Sequence, residues 1–455
     1  MDHLLIRGGR RLQGTVQVSG SKNSALPILA ACLMADGPTL LHAVPRLSDT
    51  RLMLDLLNAL GCRTRRAPSE PMGNGPALNG ALEVQVENEL LVEAGFEAVQ
   101  KMRASICVLG PLLAKRGRAV VSQPGGCSIG DRPIDLHLRG LAKLGAEFRQ
   151  ESGYVVATVR GRLKGCTMYL GGTQGPTVLG TINVMSAATL AEGTTRIVGA
   201  ACEPEVVDCA TLLNKMGARI TGAGTGEITI EGVDKLKGVE HTVIPDRIEA
   251  GTFMIAAGIT GSEITLANMR ADHLVALTDR LEEAGIRIRE TEQGVVVTPT
   301  ARPKHVDVTT WPYPGFPTDL QAQLGALLAT ADGTSVITER VYPERFGYIG
   351  ELSRMNAKVR LNGPTALIDG VDHLSGATVT CTDLRASAAL VLAGLSAKGV
   401  TRVEEIHHMD RGYEKLEEKL AALGADIERV SVKPSLKVTV NRDVVPMKAV
   451  AHGAA

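Results

Sequence analysis

The sequence predicts an α/β fold of six repeated units, in which helices pack inside and sheets lie outside. Two patterns, each present six times in the 455 residues, lead to this prediction. In the first, an amphipathic helix ends at a Gly or Asn, and a strand follows, with a repeat of about 70 residues. Both residue types tolerate the left-handed conformation that ends many helices. The six turn residues are Gly61, Gly145, Gly217, Gly285, Asn356 and Gly424.

The second pattern is an alanine-rich helix followed by a glycine turn and a β-branched strand. Helices that are apolar on every side are expected to be buried, so these should form the interior. With three units per domain, we expect an N-terminal domain of residues 22–244 and a C-terminal domain of residues 1–21 and 245–440. The Gly- and Pro-rich composition of residues 65–80 predicts an inserted exposed loop. Residues 441–455 are predicted to form a disordered tail. The alanine-rich helices are predicted over residues 24–34, 105–114, 184–191, 252–258, 321–331 and 386–397.

The composition argues against several classes of protein. Lys plus Arg and Asp plus Glu both number 49, so no net charge favours nucleic acid or an anionic membrane. Aromatic residues make up 3% of the chain, too few for the stacking platforms that bind single-stranded nucleic acid. The eight scattered cysteines and the lack of a membrane-length apolar run predict a reduced, cytoplasmic protein. No metal, dinucleotide or P-loop motif occurs in the sequence, and no cofactor is predicted.

Residues 123–133, with the sequence Gln-Pro-Gly-Gly-Cys-Ser-Ile-Gly-Asp-Arg-Pro, predict a mobile loop that ends at a helix start near Pro133. Such a loop can carry a thiol into a cleft, and Arg132 would favour the thiolate of Cys127. Cys127 is therefore a candidate reactive residue. A small buried cysteine in a surface turn is the alternative, and the loop alone does not decide between the two.

Cationic side chains stand at several predicted helix starts, including starts at residues 343–345 and 410–412. Positive charge is unfavourable there in the free protein, so the set suggests an anionic ligand. The alternative is that each Arg pairs with a neighbouring acid. Guanidinium groups bind carboxylate and phosphate in paired hydrogen bonds, which suits phosphoenolpyruvate. Asp319, before another helix, is either an N-cap or a general base. The basic candidates are Lys22, Arg103, Arg132, Arg345, Arg385 and Arg411.

Seven motifs are spread in order over both halves of the chain. They are Lys22-Asn23, Met102-Arg103-Ala104-Ser105, residues 124–133, residues 316–323, Glu344-Arg345-Phe346, residues 382–387 and residues 410–414. Together they resemble the UDP-N-acetylglucosamine enolpyruvyltransferase family. The resemblance implies a two-domain inside-out α/β barrel of six βαβαββ repeats. It also implies transfer of enolpyruvate from phosphoenolpyruvate to the 3-hydroxyl of UDP-N-acetylglucosamine, with release of phosphate, as the first committed step of peptidoglycan synthesis.

The resemblance also implies roles for individual residues. Cys127 would protonate the methylene carbon of phosphoenolpyruvate or carry it covalently, and fosfomycin would alkylate it. Asp319 would take the proton of the sugar hydroxyl, and Asn23 would contact the sugar and assist the transition state. Lys22, Arg132 and Arg411 would bind the phosphate and carboxylate, in a charge network completed by Arg103, Arg345 and Arg385. The uridine would lie against Pro133, Ile134, Asp135, Leu136 and His137, with Val341 across the cleft.

One motif departs from the family pattern. Around the diphosphate the family commonly has Ser-Val-Gly, whereas this chain has Thr177, Val178 and Leu179, and leucine cannot match the close backbone approach of glycine. A sister enzyme that enolpyruvylates another nucleotide, such as UMP, is therefore an alternative. Enolpyruvylshikimate-phosphate synthase shares the fold but would not need Cys127. A catalytically silent repeat scaffold is the remaining alternative. The predicted partners are small-molecule substrates only, with no nucleic acid and no membrane.

Overall fold

The structure, a computed structural model, describes residues 2–68, 80–96, 99, 102–122, 134–299 and 301–431. Within these residues the strands form six four-stranded sheets of one design. In each sheet the first strand is parallel to the second, and the third is antiparallel to both the second and the fourth. Each strand presents one side to the interior, as in the alternating burial of Glu227–Glu231.

Three of the sheets lie in the first part of the chain. In spatial order they are Glu240–Thr242, Thr39–His42, Leu82–Val86 and Cys62–Arg66; Glu93–Ala94, Arg118–Ser122, Tyr154–Thr158 and Glu147–Glu151; and Thr167–Tyr169, Thr194–Val198, Glu227–Glu231 and Arg219–Thr221. Two small sheets accompany them: Gly171–Gly172 with Gly175–Pro176, and Ala35–Asp36 with Leu236–Lys237.

The other three sheets use the chain from residue 263 onward together with the first 17 residues. They are Gln13–Gln17, Glu263–Ala267, Gly294–Pro299 and Ile286–Thr291; Val308–Thr309, Thr334–Thr338, Thr365–Asp369 and Lys358–Asn362; and Thr378–Thr380, Val400–Glu404, His3–Arg7 and Asp426–Val430. The N-terminal strand thus completes the last sheet.

Alanine-rich helices fill the space between the sheets. Arg247–Thr260, Gln321–Leu328 and Leu384–Ser396 pack against one another, and Val178–Ala188 packs against both Lys22–Ala31 and Leu109–Arg116. Their residues are buried on nearly every side, which confirms the predicted arrangement of helices inside and sheets outside. Further α-helices among the described residues are Ser48–Ala59, Asp135–Lys143, Pro204–Lys215, Val275–Glu283, Tyr348–Arg354 and Leu416–Ala422. Short 3-10 helices cover Cys32–Met34, Arg103–Val108, Ala271–His273, Thr318–Leu320 and Ile406–Arg411.

The turn residues behave as the repeat pattern predicts. All six helix-ending residues have left-handed backbone angles, including Asn356, whose φ of 71° is unusual for a residue other than glycine. The glycines after the alanine-rich helices are left-handed as well. These are Gly37, Gly117, Gly193, Gly261, Gly333 and Gly399.

Two predicted helix starts are wrong. The helix expected at residues 343–345 begins at Tyr348, because Glu339 and Asp319 hold the preceding turn in another geometry, described below. Arg411 ends the 3-10 helix Ile406–Arg411 and does not start a helix; the next helix begins at Leu416. Helix Asp135–Lys143 begins two residues after Pro133, which itself lies outside the described residues.

Two hydrophobic cores follow the two groups of sheets. One core contains Leu4 to Val18 and Ile248 to Leu423, and the other contains Ala25 to Val243. The predicted division at residues 21–22 and 244–245 stays a prediction, and these cores agree with it. The chain crosses between the cores twice, and the crossings run side by side, since the N–H of Ser21 donates to the carbonyl of Ile244 at 2.7 Å. None of the helices in the described ranges has the length and apolar character needed to cross a membrane.

Candidate active site

Six charged side chains from both cores meet in what we call the charge cluster. Lys22 stands at the start of helix Lys22–Ala31, directly after one crossing. Its ammonium lies near charged groups that reach it from four other elements. The cluster consists of Lys22, Asp49, Asp319, Arg345, Arg385 and Arg411.

Asp319 is clamped between two arginines. Its Oδ1 accepts from Nη1 of Arg345 at 2.8 Å, and its Oδ2 accepts from Nη2 of Arg385 at 2.8 Å. Burial alone would raise the pKa of this carboxyl, but Arg385 and then Arg345 outweigh burial and hold the pKa well below its usual range. Asp319 lies in a 3-10 turn before helix Gln321–Leu328 and does not cap that helix, so the alternative role of N-cap is not what the structure shows.

The two arginines keep unused donors. Nε and Nη1 of Arg385 and Nε of Arg345 are buried and have no hydrogen-bond partner among the described residues. The guanidinium of Arg385 also lies over the ring of Tyr413, with 5.4 Å from Cζ to the ring centroid. Buried guanidinium donors are costly to leave unpaired, so these groups are suited to an anionic ligand.

Asp49 forms two contacts in the cluster, and the one with Arg411 joins the two cores. Nζ of Lys22 lies 3.4 Å from Oδ2 of Asp49, and Nε of Arg411 donates to Oδ1 of Asp49 at 3.0 Å. Burial lowers the pKa of the Lys22 ammonium, and the attraction of Asp49 is the strongest influence opposing it. Asp49 itself is 3% exposed.

The charges in the cluster do not balance. The four cations Lys22, Arg345, Arg385 and Arg411 face the two carboxylates of Asp49 and Asp319. Asp246 and Asp383 act on Arg385 and Arg345 from further away, but among the side chains that pair directly the cations outnumber the carboxylates two to one. Such an arrangement favours an anionic ligand. The expectation that each Arg pairs with the acid beside it in sequence does not hold for these residues, because their partners lie far away in the chain.

Glu339 organises the turn that carries Val341. Its Oε1 accepts from the hydroxyl of Thr310 at 2.6 Å and from the N–H groups of Val341 and Tyr342 at 2.8 and 2.9 Å. Its Oε2 accepts from the hydroxyl of Thr318 at 2.9 Å, next to Asp319. This fully buried carboxylate therefore ties the Val341 turn to the Asp319 turn.

The nucleotide region, defined as Arg103, residues 134–137 and residues 177–179, is separate in construction. His137 is buried, and its Nδ1 lies 3.1 Å from Nδ2 of Asn183. Burial, with a smaller contribution from Arg103, lowers the pKa of His137 to about 3, so the imidazole is neutral. The side chain of Asn183 also donates to the carbonyl of Ile106 and accepts from the N–H of Gly110. These backbone contacts fix Asn183, which in turn holds the His137 ring in place.

Residues 177–179 form a helix start. The hydroxyl of Thr177 caps helix Val178–Ala188 by accepting from the N–H of Gly180 at 3.2 Å, and Val178 and Leu179 are half-buried in the first turn. The hairpin formed by Gly171–Gly172 and Gly175–Pro176 precedes this helix and packs against Pro312 of the other core. A Cβ atom added to Gly175 would lie 3.0 Å from Cγ of Pro312. The nucleotide region thus lies at the junction of the two cores.

The other predicted residues have these positions. Asn23 is the half-buried second residue of helix Lys22–Ala31. Ile134 precedes helix Asp135–Lys143, Asp135 is exposed, and Leu136 is half-buried against Gly172. Three predicted residues lie outside the described residues: Cys127, Arg132 and Pro133.

Asp49 and Glu339 were not predicted from the sequence as site residues. Asp49 reads as an ordinary acidic residue in a first helical turn, and Glu339 follows a strand with no motif around it. Their side-chain partners are 21 to 362 positions away, so no local pattern could reveal them. Among the described residues, no group of His, Cys, Asp and Glu side chains is arranged to hold a metal ion.

Comparison with known proteins agrees with this fold. Residues 6–420 match the EPSP synthase (3-phosphoshikimate 1-carboxyvinyltransferase) family, which places the chain in the enolpyruvyl transferase class. The enolpyruvyl transferase NikO from Streptomyces tendae has the same fold, with a TM-score of 0.82, 26% identity, and coverage of 95% of this chain and 99% of that one. EPSP synthase from Acinetobacter baumannii shares the fold at a TM-score of 0.72 and 18% identity, over 94% of this chain and 100% of that one.

Curated relatives narrow the class. The UDP-N-acetylglucosamine 1-carboxyvinyltransferase of Akkermansia muciniphila is 50% identical over 432 residues, which cover 94% of this chain and 99% of the relative. The protein of the same name from Myxococcus xanthus is 51% identical over 429 residues, with 94% and 99% coverage. The chain belongs to the family of UDP-N-acetylglucosamine 1-carboxyvinyltransferases, and the family predicted from the sequence motifs is confirmed.

Proposed function

We propose that this protein transfers enolpyruvate from phosphoenolpyruvate to the 3-hydroxyl of UDP-N-acetylglucosamine and releases phosphate, the first committed step of peptidoglycan synthesis in the cytoplasm. The observation that carries the proposal is the charge cluster, in which four cations from two cores face two carboxylates. Relatives about 50% identical over 94% of the chain bear the name of this activity.

The donor site is assigned to the cations of the cluster. Phosphoenolpyruvate carries a phosphate and a carboxylate, and the unpartnered nitrogens of Arg385 and Arg345 can each donate to an anionic oxygen. Lys22 supplies a point charge, and Arg411 approaches from the opposite core. Arg132, outside the described residues, would add a further cation.

Asp319 is assigned as the base that takes the proton of the sugar hydroxyl. While both arginines clamp it, its low pKa makes it a weak base. Anionic substrate bound to Arg345 and Arg385 would draw positive charge away from Asp319 and raise its pKa toward the useful range. The site would thus gain its base only when the donor is in place.

The reaction needs a second proton-transfer group. As the hydroxyl oxygen bonds to the central carbon of phosphoenolpyruvate, the methylene carbon must gain a proton, and Cys127 is assigned to supply it. Loss of phosphate from the central carbon, together with loss of a proton from the neighbouring methyl carbon, then restores the double bond on the sugar ether. Lys22, Asn23 and Arg411 would stabilise the charge that develops at the transferred group.

The nucleotide end of the acceptor is assigned to the nucleotide region. The start of helix Val178–Ala188 offers backbone N–H groups to a diphosphate, and Thr177 already fixes the local geometry. Pro133 to Leu136 would contact the uridine, and Val341 would close the other side. Arg103, which acts on His137, would contribute positive charge around the bound substrates. The buried ring of His137 is better suited to support this segment than to touch the ligand.

Phosphate release from phosphoenolpyruvate tests the proposal, with UDP-N-acetylglucosamine, UMP and shikimate 3-phosphate offered in parallel. The proposal expects release with UDP-N-acetylglucosamine at least about 100-fold faster than with the other two, because only this acceptor uses both the nucleotide region and Asp319. Faster release with UMP would transfer the proposal to the sister reaction. No release with any acceptor would contradict an enzymatic role and favour the scaffold.

A further inference from the structure

Asp49 is the carboxylate of the charge cluster that contacts cations of both cores. It is the second residue of helix Ser48–Ala59 and touches Lys22 of its own core and Arg411 of the other. We infer that Asp49 is a positioning residue of the donor site, which keeps the Lys22 ammonium charged and orients Lys22 and Arg411 toward the same anion. The role in the donor site rests on the function proposed above.

The geometry supports a role that spans the two cores. Beside the Asp49–Arg411 contact, the hydroxyl of Ser48 donates to the carbonyl of Asp410 at 3.3 Å. The start of helix Ser48–Ala59 therefore lies directly against the 3-10 helix that carries Arg411. Asp49 engages Nε of Arg411, and the two terminal nitrogens of that guanidinium form no hydrogen bond within the described part of the chain and can therefore meet a ligand.

The charges around Lys22 show why Asp49 matters. From the elements packed around it, Lys22 faces the carboxylates of Asp49 and Asp319 and the guanidinium groups of Arg385 and Arg411. Burial and the two arginines favour the neutral amine, and Asp49 is the strongest influence in favour of the ammonium. Without Asp49, Lys22 would lose its proton at a lower pH, and a neutral amine attracts phosphate far less.

A purely structural role makes different predictions. An acidic side chain in the first turn of a helix stabilises that helix through the helix dipole. Removal of such a charge changes the unfolding transition but has no reason to change the titration of Lys22. The titration of Lys22 therefore separates the two roles.

The test compares Asp49→Asn with Asp55→Asn, an exposed aspartate of the same helix as matched control. Competitive acetylation of Lys22, followed by mass spectrometry from pH 6 to 11, reports the titration midpoint without the need for turnover. The midpoint in Asp49→Asn is expected to fall by roughly 1–3 pH units, the size typical of a lost close counter-charge, with no change in Asp55→Asn. The pH at which kcat/KM for phosphoenolpyruvate declines on the alkaline side should fall by a similar amount. KM for UDP-N-acetylglucosamine should stay within about 2-fold of the wild-type value.

Asp49→Glu completes the design, because it restores the charge on a longer side chain. Its Lys22 midpoint is expected to return to within about half a pH unit of the wild type. An unchanged midpoint in Asp49→Asn, or a low midpoint that Asp49→Glu fails to restore, overturns the inference whether or not the protein is active. A shifted midpoint in a protein that releases no phosphate supports the effect of Asp49 on Lys22 and contradicts only the proposed function.

Discussion

The charge cluster and the nucleotide region are built in opposite ways. In the cluster, six charged side chains form direct ion pairs, and the pair of Asp49 with Arg411 links the two cores. In the nucleotide region, the central imidazole is neutral and buried, and the prominent features are a capped helix start and a hairpin packed on the other core. One region relies on side-chain charge, and the other on backbone geometry.

This difference explains how each region tolerates sequence change. A backbone N–H is present whatever the side chain, so Thr177, Val178 and Leu179 can replace the commoner Ser-Val-Gly and still form a helix start. A guanidinium or carboxylate in a buried pair has no such substitute, since its loss leaves the partner charge unpaired. Substitutions should therefore have large effects in the charge cluster and small ones in the nucleotide region.

The largest effect is expected for Asp319→Asn. Asparagine keeps the shape but removes the base and the charge that holds Arg345 and Arg385. Turnover should fall about 100- to 10,000-fold, the usual contribution of a general base. The free energy of unfolding should fall by roughly 1–3 kcal/mol, because buried guanidinium donors of Arg345 and Arg385 lose an acceptor. Steady-state phosphate release and denaturant unfolding measure the two effects.

Asp332→Asn is the matched control for this substitution, since Asp332 is exposed and lies in the turn that follows helix Gln321–Leu328, whereas Asp319 lies in the turn before it. It should change neither turnover nor stability appreciably. If Asp319→Asn kept wild-type turnover, the charge cluster would not contain the base. The expectation that substitutions have larger effects in the charge cluster than in the nucleotide region would then be contradicted.

An effect of intermediate size is expected for His137, and it concerns how the free energy of unfolding depends on pH. Because the pKa of His137 is lowered to about 3 in the folded protein, the unfolded chain takes up a proton near pH 6.5 and the folded protein does not. The contribution of the neutral His137 to the free energy of unfolding is therefore fully present above pH 6.5 and is lost as the pH falls from there toward the pKa of about 3 in the folded protein. Between pH 7 and pH 5 the wild type should lose about 2 kcal/mol more than His137→Gln. Denaturant unfolding at the two pH values measures this difference, and equal losses would show that His137 is accessible to protons in the folded state.

The smallest effect is expected for Thr177→Ala. Loss of the helix cap should lower the free energy of unfolding by about 1 kcal/mol. KM for UDP-N-acetylglucosamine should rise by less than about 10-fold, with KM for phosphoenolpyruvate unchanged. Thr211→Ala, which removes an exposed hydroxyl from the middle of helix Pro204–Lys215, is the control. A larger loss of turnover in Thr177→Ala than in Asp319→Asn would reverse the comparison.

Much of the fold could be predicted because its determinants are local. A glycine or Asn356 at each helix end and the apolar alanine-rich helices recur in every unit, and each can be recognised within a few residues. The helix starts at residues 343–345 and 410–412 were wrong because distant partners decide them. Asp319 holds Arg345 from 26 positions away. Glu339 binds the N–H of Val341 and is itself held by Thr310 and Thr318, which lie 29 and 21 positions away.

The site could be predicted in part for the same reason. Basic residues at unfavourable positions pointed to Lys22, Arg345, Arg385 and Arg411, and the structure brings all four together with Asp319. Asp49 and Glu339 were missed because acids are common in first helical turns and after strands. Their importance arises only when remote segments meet.

The most direct test of the charge cluster as the donor site is the effect of Arg411→Gln on the two KM values. Arg411 is the least buried arginine of the cluster and belongs to the core opposite Lys22. We predict that KM for phosphoenolpyruvate rises roughly 10- to 100-fold, the cost of a lost charged contact, while KM for UDP-N-acetylglucosamine changes less than about 2-fold. Arg402→Gln, at an exposed arginine, should change neither. An unchanged KM for phosphoenolpyruvate, or a rise confined to the nucleotide sugar, would contradict the assignment of the charge cluster to the donor.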